Sequence, residues 1–267
     1  MTVFSVDKSS VLIFLIVLLV SYGGWKTRNL SFSGALSALI MGCIIGYVYG
    51  WNGLLLLGAF FLSSSIWSKL FTGSKAEIEG RLAKSSVRDW QQVWANGGPA
   101  ALFIILYHFT GSEWWLYSFA AAIAAANSDT WASEIGPLNR KSPLSIRSFK
   151  RVKKGTSGAV SLLGTVAALA GSIFISFIFL TLHDPFQWPL FILISSAGFL
   201  GNVFDTVAGA YWQEEFICPV CSSSTEAYIH CGVPAVKSKG FSWMNNECVN
   251  FLSSFLAGAA VLLFIPG

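Results

Sequence analysis

Leu116-Tyr117-Ser118-Phe119-Ala120-Ala121-Ala122-Ile123-Ala124-Ala125-Ala126 runs without a charge into Asn127-Ser128-Asp129-Thr130-Trp131-Ala132-Ser133-Glu134. The apolar part has the composition of a helix buried in a bilayer or in a bundle. The two carboxylates at its end need an explanation, because an ionisable residue at membrane depth is costly and usually marks a functional site. A shorter echo, Asp205-Thr206-Val207-Ala208-Gly209, follows 76 positions after Asp129, again at the end of an apolar run.

The rest of the chain agrees with a membrane setting. Of 267 residues 54% are hydrophobic and 11% charged, with 11 Trp and 22 Phe. A soluble domain carries about a quarter charged residues. The pattern predicts an all-α, polytopic transmembrane helix bundle of about eight spans, built as one domain over residues 1–267. The spans are expected at Ser9–Gly24, Phe32–Tyr49, Gly53–Trp67, Gly97–Phe109, Trp114–Ala126, Ser157–Leu182, Pro189–Ala210 and Val249–Ile265. Several fall short of the roughly 20 residues of a straight crossing, so tilted or broken spans are expected. Val11–Val20 resembles a signal-peptide core, but Ser21-Tyr22-Gly23-Gly24-Trp25 is a poor cleavage site and no cleavage is expected.

Charge orients these spans. Sixteen of the 17 Lys and Arg fall between spans one and two, three and four, five and six, or seven and eight, on one face of the membrane. The positive-inside rule makes that face cytoplasmic and leaves both termini outside. The main cytoplasmic loops are expected at about 68–96, 137–156 and 211–247. The expected location is the cell membrane of a prokaryote. Both aspartate motifs end spans running toward the cytoplasm, which suits a parallel internal repeat.

On a helix, Asp129 and Ser133 share a face, as do Thr130 and Glu134. A carboxylate that takes a hard cation, hydroxyls that donate to phosphate oxygens, and small neighbours make a metal and phosphate site. The alternative is a polar contact holding helices together. Lys153-Lys154-Gly155-Thr156-Ser157-Gly158 opens the sixth expected span, where free N–H groups and the helix dipole favour an anion; an anchor on lipid headgroups is the competing reading. Arg81 and Arg88 precede span four and suit bidentate phosphate binding, or belong to a solvated amphipathic helix. Asn245, Asn246 and Asn250 lie at the start of span eight, either capping it or lining a polar site. Cys218-Pro219-Val220-Cys221 with His230-Cys231 offers four ligands for a structural zinc. The adjacency of His230 and Cys231 makes a tetrahedral site awkward, so a redox pair and free thiols stay open, as does Cys248 as a substitute ligand.

These stretches also carry a resemblance. Leu30-Ser31-Phe32-Ser33-Gly34-Ala35, Gly80-Arg81, Arg88-Asp89, Asn96-Gly97, Ser128 to Gly136, Gly155 to Ser161, Asp205 to Gln213, His230-Cys231-Gly232, Asn245-Asn246 and Val249-Asn250 occur in order along nearly the whole chain. They resemble the integral membrane family that contains human transmembrane protein 19 and the plant phytyl-phosphate kinase. Asp129 to Gly136 is also similar, over a few residues, to a stretch of CTP-dependent dolichol kinases. The resemblance implies a nucleotide-dependent kinase, using CTP or ATP, that converts an isoprenyl monophosphate to the diphosphate. Its partners would be that lipid and a nucleoside triphosphate, and not a nucleic acid. Phosphoryl transfer asks mainly for positioning and charge neutralisation. Asp129, Glu134 and Asp205 are expected to act in catalysis and hold Mg²⁺. Arg81, Arg88, Ser128, Thr130, Ser133, Lys154, Gly155, Thr156, Ser157, Gly158, Thr206, Asn246 and Asn250 are expected to bind phosphate or substrate. Two other classes stay open: a lipid-phosphate transporter or flippase using the same carboxylates, and a silent scaffold.

Overall fold

The computed structural model describes residues 8–71, 87–183 and 185–265. Among them are seven α-helices: α1 (Lys8–Lys26), α2 (Phe32–Leu70), α3 (Trp90–Thr110), α4 (Glu113–Ile135), α5 (Leu162–Leu182), α6 (Trp188–Tyr211) and α7 (Asn246–Val261). Five of them, α1, α2, α5, α6 and α7 with its 3-10 extension, are long and apolar enough to cross a membrane.

Helix α2 is not one straight rod. Gly50 sits at φ 56°, ψ −141°, outside the helical region. A Cβ on Gly53 would meet the Ile45 side chain at 2.7 Å, and one on Gly46 would meet Leu54 at 3.4 Å. Residues eight apart on a continuous helix are about 12 Å apart, so the chain doubles back here. A left-handed backbone at the apex suits glycine, which lacks the Cβ that forbids it. The sequence break at Gly50–Asn52 is therefore a tight helical hairpin.

The hub of the bundle is α4, buried without interruption from Leu116 to Ser128. It packs against α2, α3, α5, α6 and α7. Its alanines let five neighbours approach closely, which is how helices associate without a hydrophobic driving force in lipid. Gly201 of α6 shows how close: a Cβ there would lie 2.6 Å from the Ala125 Cβ and 3.0 Å from the Ala257 Cβ of α7. Because α4 is enclosed by protein, it needs no lipid-facing apolar stripe, and its polar end lowers its hydropathy. The outer helices show such stripes. Leu162, Val166, Leu169, Ile173 and Phe177 of α5 are all exposed on one face, an outward apolar surface that a bilayer would cover.

The fold is not all-α. Seven short strands occupy the two long connections at the end of the bundle where α4 and α6 finish. β1 (Leu144–Ser145) pairs antiparallel with β2 (Ala159–Val160). Between α6 and α7, β3 (Glu215–Ile217) lies between β4 (Ser224–Thr225) and β7 (Val236–Lys239), and β5 (Ile229–His230) pairs with β6 (Val233–Pro234). Strands of two to four residues are too short to show the alternation by which a strand is read from sequence. Helix boundaries also move. α3 starts at Trp90 rather than Gly97, because Asp89 and Gln92 form a capping box. α5 starts at Leu162 rather than Ser157, because Ser161 caps Gly164.

Candidate functional site

The two aspartates meet. The carboxyl groups of Asp129 on α4 and Asp205 on α6 lie within hydrogen-bonding reach of each other. Asn202, one helical turn before Asp205, donates from Nδ2 to Asp129 Oδ1 at 3.2 Å. Asn250 on α7, with its amide nitrogen turned toward the carboxylate, donates to Asp205 Oδ2 at 3.0 Å and to the Asn246 carbonyl at 3.3 Å. The Ser253 hydroxyl adjoins Asp205 as well. Three helices thus place two carboxylates, two amides and a hydroxyl around one point. All four acid and amide residues are half-buried.

Neighbours of the same motif serve the scaffold instead. Ser128 is buried and donates to the Ala168 carbonyl of α5 at 2.8 Å, so it is withdrawn from any ligand. Asn127 donates to the Gly171 carbonyl at 2.8 Å and accepts from the Ser63 hydroxyl at 3.1 Å. Thr130, Ser133 and Thr206 each donate to carbonyls of their own helix. Glu134, five residues past Asp129, lies roughly 140° farther round the helix at 3.6 residues per turn. Among the described residues, no third acidic or cysteine–histidine ligand joins the aspartate pair to make a group of three. Of the expected Asp129, Glu134 and Asp205, the described residues bring Asp129 and Asp205 together with two amides and do not group Glu134 with them.

This donor set still fits magnesium. Two ionised carboxylates held against each other repel, and a hard divalent cation with oxygen ligands removes that cost. Asp129 and Asp205 would supply the charged oxygens, with the Asn202 and Asn250 amides orienting them.

The Gly155-Thr156-Ser157-Gly158 stretch is a turn, not a helix start. It precedes β2 and lies on the end of α6. Gly158 has φ +73°, and a Cβ on it would fall 2.4 Å from the Cα of Ala210. Only glycine satisfies both the left-handed backbone and that contact. Ser157 donates to Gln213 Oε1 at 2.8 Å, and Gln213 donates to Glu226 Oε1 at 2.7 Å. Glu226 in turn is close enough to act electrostatically on Asp205. Lys153 reaches the Ser223 hydroxyl at 3.2 Å, and Lys154 beside it is half-buried. Lys239 donates to the Gly209 and Ala210 carbonyls at 2.8 and 3.1 Å and pairs with Glu215 at 3.5 Å. It satisfies carbonyls left open at the end of α6, where the helix dipole favours a cation. Burial lowers the Lys239 ammonium and Glu215 opposes that shift.

Arg88 lies at the start of α3 and Arg81 outside the described residues. The Arg88 backbone bridges to Leu30, and its carbonyl would stand 2.2 Å from a Cβ on Gly34. Two stretches distant in sequence thus lock the starts of α2 and α3 together. The guanidinium donates to the Ser65 hydroxyl at 3.3 Å and sits 5.9 Å from the Phe61 ring centroid. Burial lowers it to about 10, so it keeps its charge at neutral pH. With Ser21, Gln92 and Asn96 it forms the polar part of a cavity of about 210 Å³ among α1, α2 and α3, otherwise lined by apolar residues such as Val17, Met41 and Leu57. Ser63, two residues from Ser65, accepts from the Trp131 indole at 3.2 Å. The α2 hairpin therefore links the Arg88 cavity to the Asp129 helix.

Of the three asparagines, Asn245 caps α7 by accepting from the Cys248 N–H at 2.9 Å, and Asn250 faces the aspartates. Asn246 contributes its carbonyl to Asn250. Cys218, Cys221, His230 and Cys231 converge, their ligand atoms all within 4.8 Å of one another, while Cys248 lies in the first turn of α7. Hydrogen bonds from Ser223 hold the Cys221 thiol down to about 6, and its bond to Cys221 pushes Cys231 up to about 11. Sequence reasoning missed Asn202, Gln213, Glu226 and Ser253. Only Asn202 carried a signal, as an amide inside an apolar run one turn from Asp205.

The sequence pattern of the family described as "Integral membrane protein DUF92" matches residues 15–258. The chain is 31% identical over 233 residues to an uncharacterized membrane protein of Methanocaldococcus jannaschii, covering 87% of this chain and 84% of that one. It is 30% identical over 287 residues to Protein PGR of Arabidopsis thaliana, covering 95% and 97%. It is 28% identical over 243 residues to Protein VTE6, chloroplastic, of the same plant, covering 88% and 65%. No solved structure matches. With the match running from α1 into α7 and through every element of the site, the chain belongs to the integral membrane protein family DUF92.

Proposed function

We propose that this protein transfers a phosphoryl group from a nucleoside triphosphate, CTP or ATP, to an isoprenyl monophosphate held in the membrane. The observation that carries this reading is the Asp129–Asp205 pair, set by three helices beside the Ser157–Gln213–Glu226 chain. The resemblance to the plant phytyl-phosphate kinase supports it. In this reading the chain crosses the membrane eight times, with α2 counted twice, and the end holding the aspartates faces the cytoplasm, where nucleotide and magnesium are plentiful.

An oxygen of the lipid monophosphate attacks the terminal phosphorus of the nucleotide. The bond from that phosphorus to the bridging oxygen breaks, and the nucleoside diphosphate leaves with the electron pair. The acceptor is already an anion, so no residue need remove a proton. Catalysis then rests on positioning and on neutralising charge. Magnesium, when bound, supplies charge neutralisation at the phosphates. Asp129 and Asp205 would hold it; Asn202 and Asn250 keep the two carboxylates turned inward. Lys153 and Lys154 draw phosphate toward the turn at Ser157. Arg88 would meet the lipid phosphate at the polar edge of the apolar cavity, which takes the first part of the tail.

Purified protein incubated with CTP or ATP and a panel of prenyl monophosphates tests this reading. A prenyl diphosphate product supports it. Movement of prenyl phosphate across liposomes without nucleotide, and no diphosphate, would assign the same carboxylates to a transporter instead.

A further inference from the structure

The segment between α6 and α7 has little to hold it together by ordinary means. Its buried apolar residues are few, Phe216, Cys218 and Ala235 among them. Strands of two residues, such as β5 and β6, are marginal by themselves, and small units without a core usually need a staple. Yet this segment places Gln213 and Glu226 against the Ser157 turn.

We propose that Cys218, Cys221, His230 and Cys231 bind one structural zinc ion that clamps this segment into shape. Cys218 and Cys221 lie on a turn leaving β3, closed by the Ser222 N–H donating to the Cys218 carbonyl at 2.9 Å. His230 and Cys231 lie at the tip of the β5–β6 hairpin. Cys221 Sγ is 3.5 Å and Cys231 Sγ 3.3 Å from His230 Nδ1. All four ligand atoms lie within 4.8 Å of one another. Three thiolates and an imidazole form a closed structural zinc set, with sulfur and nitrogen ligands about 2.0–2.3 Å from the metal.

The backbone supplies an independent observation. Cys231 and Gly232 form a two-residue hairpin loop with φ +52° and +75°. Such loops take Asn-Gly or Gly-Gly, because both positions are left-handed. A cysteine there brings a Cβ that crowds the left-handed backbone. Ser222, just after Cys221, is also left-handed at φ +53°. Strain of this kind persists where the surroundings enforce it, usually at a functional position. The left-handed turn also answers the difficulty of adjacent ligands. It swings the Cys231 thiol back to the side on which the His230 ring faces Cys221.

The zinc acts at a distance from the aspartates. It fixes β3, β4 and the hairpin, and so fixes Glu226, which follows β4. The proposal does not depend on the kinase reading, and its test needs no turnover. The full chain is purified in detergent under reducing conditions without chelator, and its metal is measured. About one zinc per chain is expected. Cys221→Ser and Cys231→Ser should each lose most of it, while Cys43→Ser and Cys248→Ser keep it. Should the ligand variants fail to fold, the unaltered chain still decides. Thiol-blocking mercurial should release its zinc, and cobalt exchanged into it should show the absorption of a tetrahedral thiolate site. The proposal is overturned by a chain that stays below about a tenth of an equivalent after exposure to excess zinc. It is equally overturned by zinc undiminished in both ligand variants, or by a Cys221–Cys231 disulfide in place of metal.

Discussion

Gly201→Ala is the sharpest probe of how packing sets the site. The added Cβ would lie 2.6 Å from the Ala125 Cβ, 3.0 Å from the Ala257 Cβ and 3.2 Å from the Ser253 carbonyl. Two of these neighbours are methyl groups fixed on helices and the third is backbone, so none can rotate away. Helix α6 must move off α4 and α7. Overpacking of this kind costs about 1–3 kcal/mol. Glycine to alanine in a helix also gains up to about 1 kcal/mol from propensity. Gly23→Ala in α1 supplies that gain alone, since nothing lies within 4 Å of its Cβ. The comparison of the two variants isolates the steric term. Four residues on from Gly201 is Asp205, so a shift of α6 by ~1 Å lifts it from Asp129, and misplacement on that scale costs about 10²-fold in rate. Unfolding in mixed detergent micelles should place Gly201→Ala about 1–3 kcal/mol below Gly23→Ala. Equal stability and equal turnover would refute the close approach of α6 to α4.

Two further outcomes follow from particular contacts. Ser128→Ala removes the hydroxyl that donates to the Ala168 carbonyl and should lower stability by about 0.5–1.5 kcal/mol with turnover nearly unchanged; a turnover loss of tenfold or more would return Ser128 to the phosphate site. Lys239→Met strands Glu215 and the last carbonyls of α6, with side chains only 8% and 12% exposed in the pair. Breaking such a pair costs about 3–5 kcal/mol, and limited proteolysis within residues 212–245 should accelerate; an unchanged cleavage rate would contradict that role.

Where a residue's physical cost showed in the sequence, the site was legible. Asp129 and Asp205 stood out because a bilayer does not hold charges for packing, and their shared direction put them on one side. The structure joins them. The hinge at Gly50–Asn52 was legible too, as a break between apolar runs. Other parts had no local signature. Gly155 to Gly158 looked like a helix start, yet Ser161 caps α5 three residues later, and Gly158 answers to Ala210, some 50 positions away. Glu226 lies in a polar connection where one more acid carries no signal, and its place depends on strands of two residues. Ser128, Thr130, Ser133 and Thr206 had the right chemistry for phosphate, but in an apolar setting Thr130, Ser133 and Thr206 turn back to carbonyls of their own helix, and Ser128 donates across to α5.

In the proposed function Asp129 and Asp205 together hold the cation for phosphoryl transfer. The most direct test of this role is the rate of prenyl diphosphate formation by purified protein with nucleoside triphosphate and magnesium, compared among the unaltered chain, Asp129→Asn and Asp205→Asn. Both variants keep the shape of the side chain and a hydrogen-bonding oxygen but lose the charge. Both variants should be correctly inserted and folded, with turnover lower by at least about 10²-fold. Near-normal turnover in either variant would contradict that role.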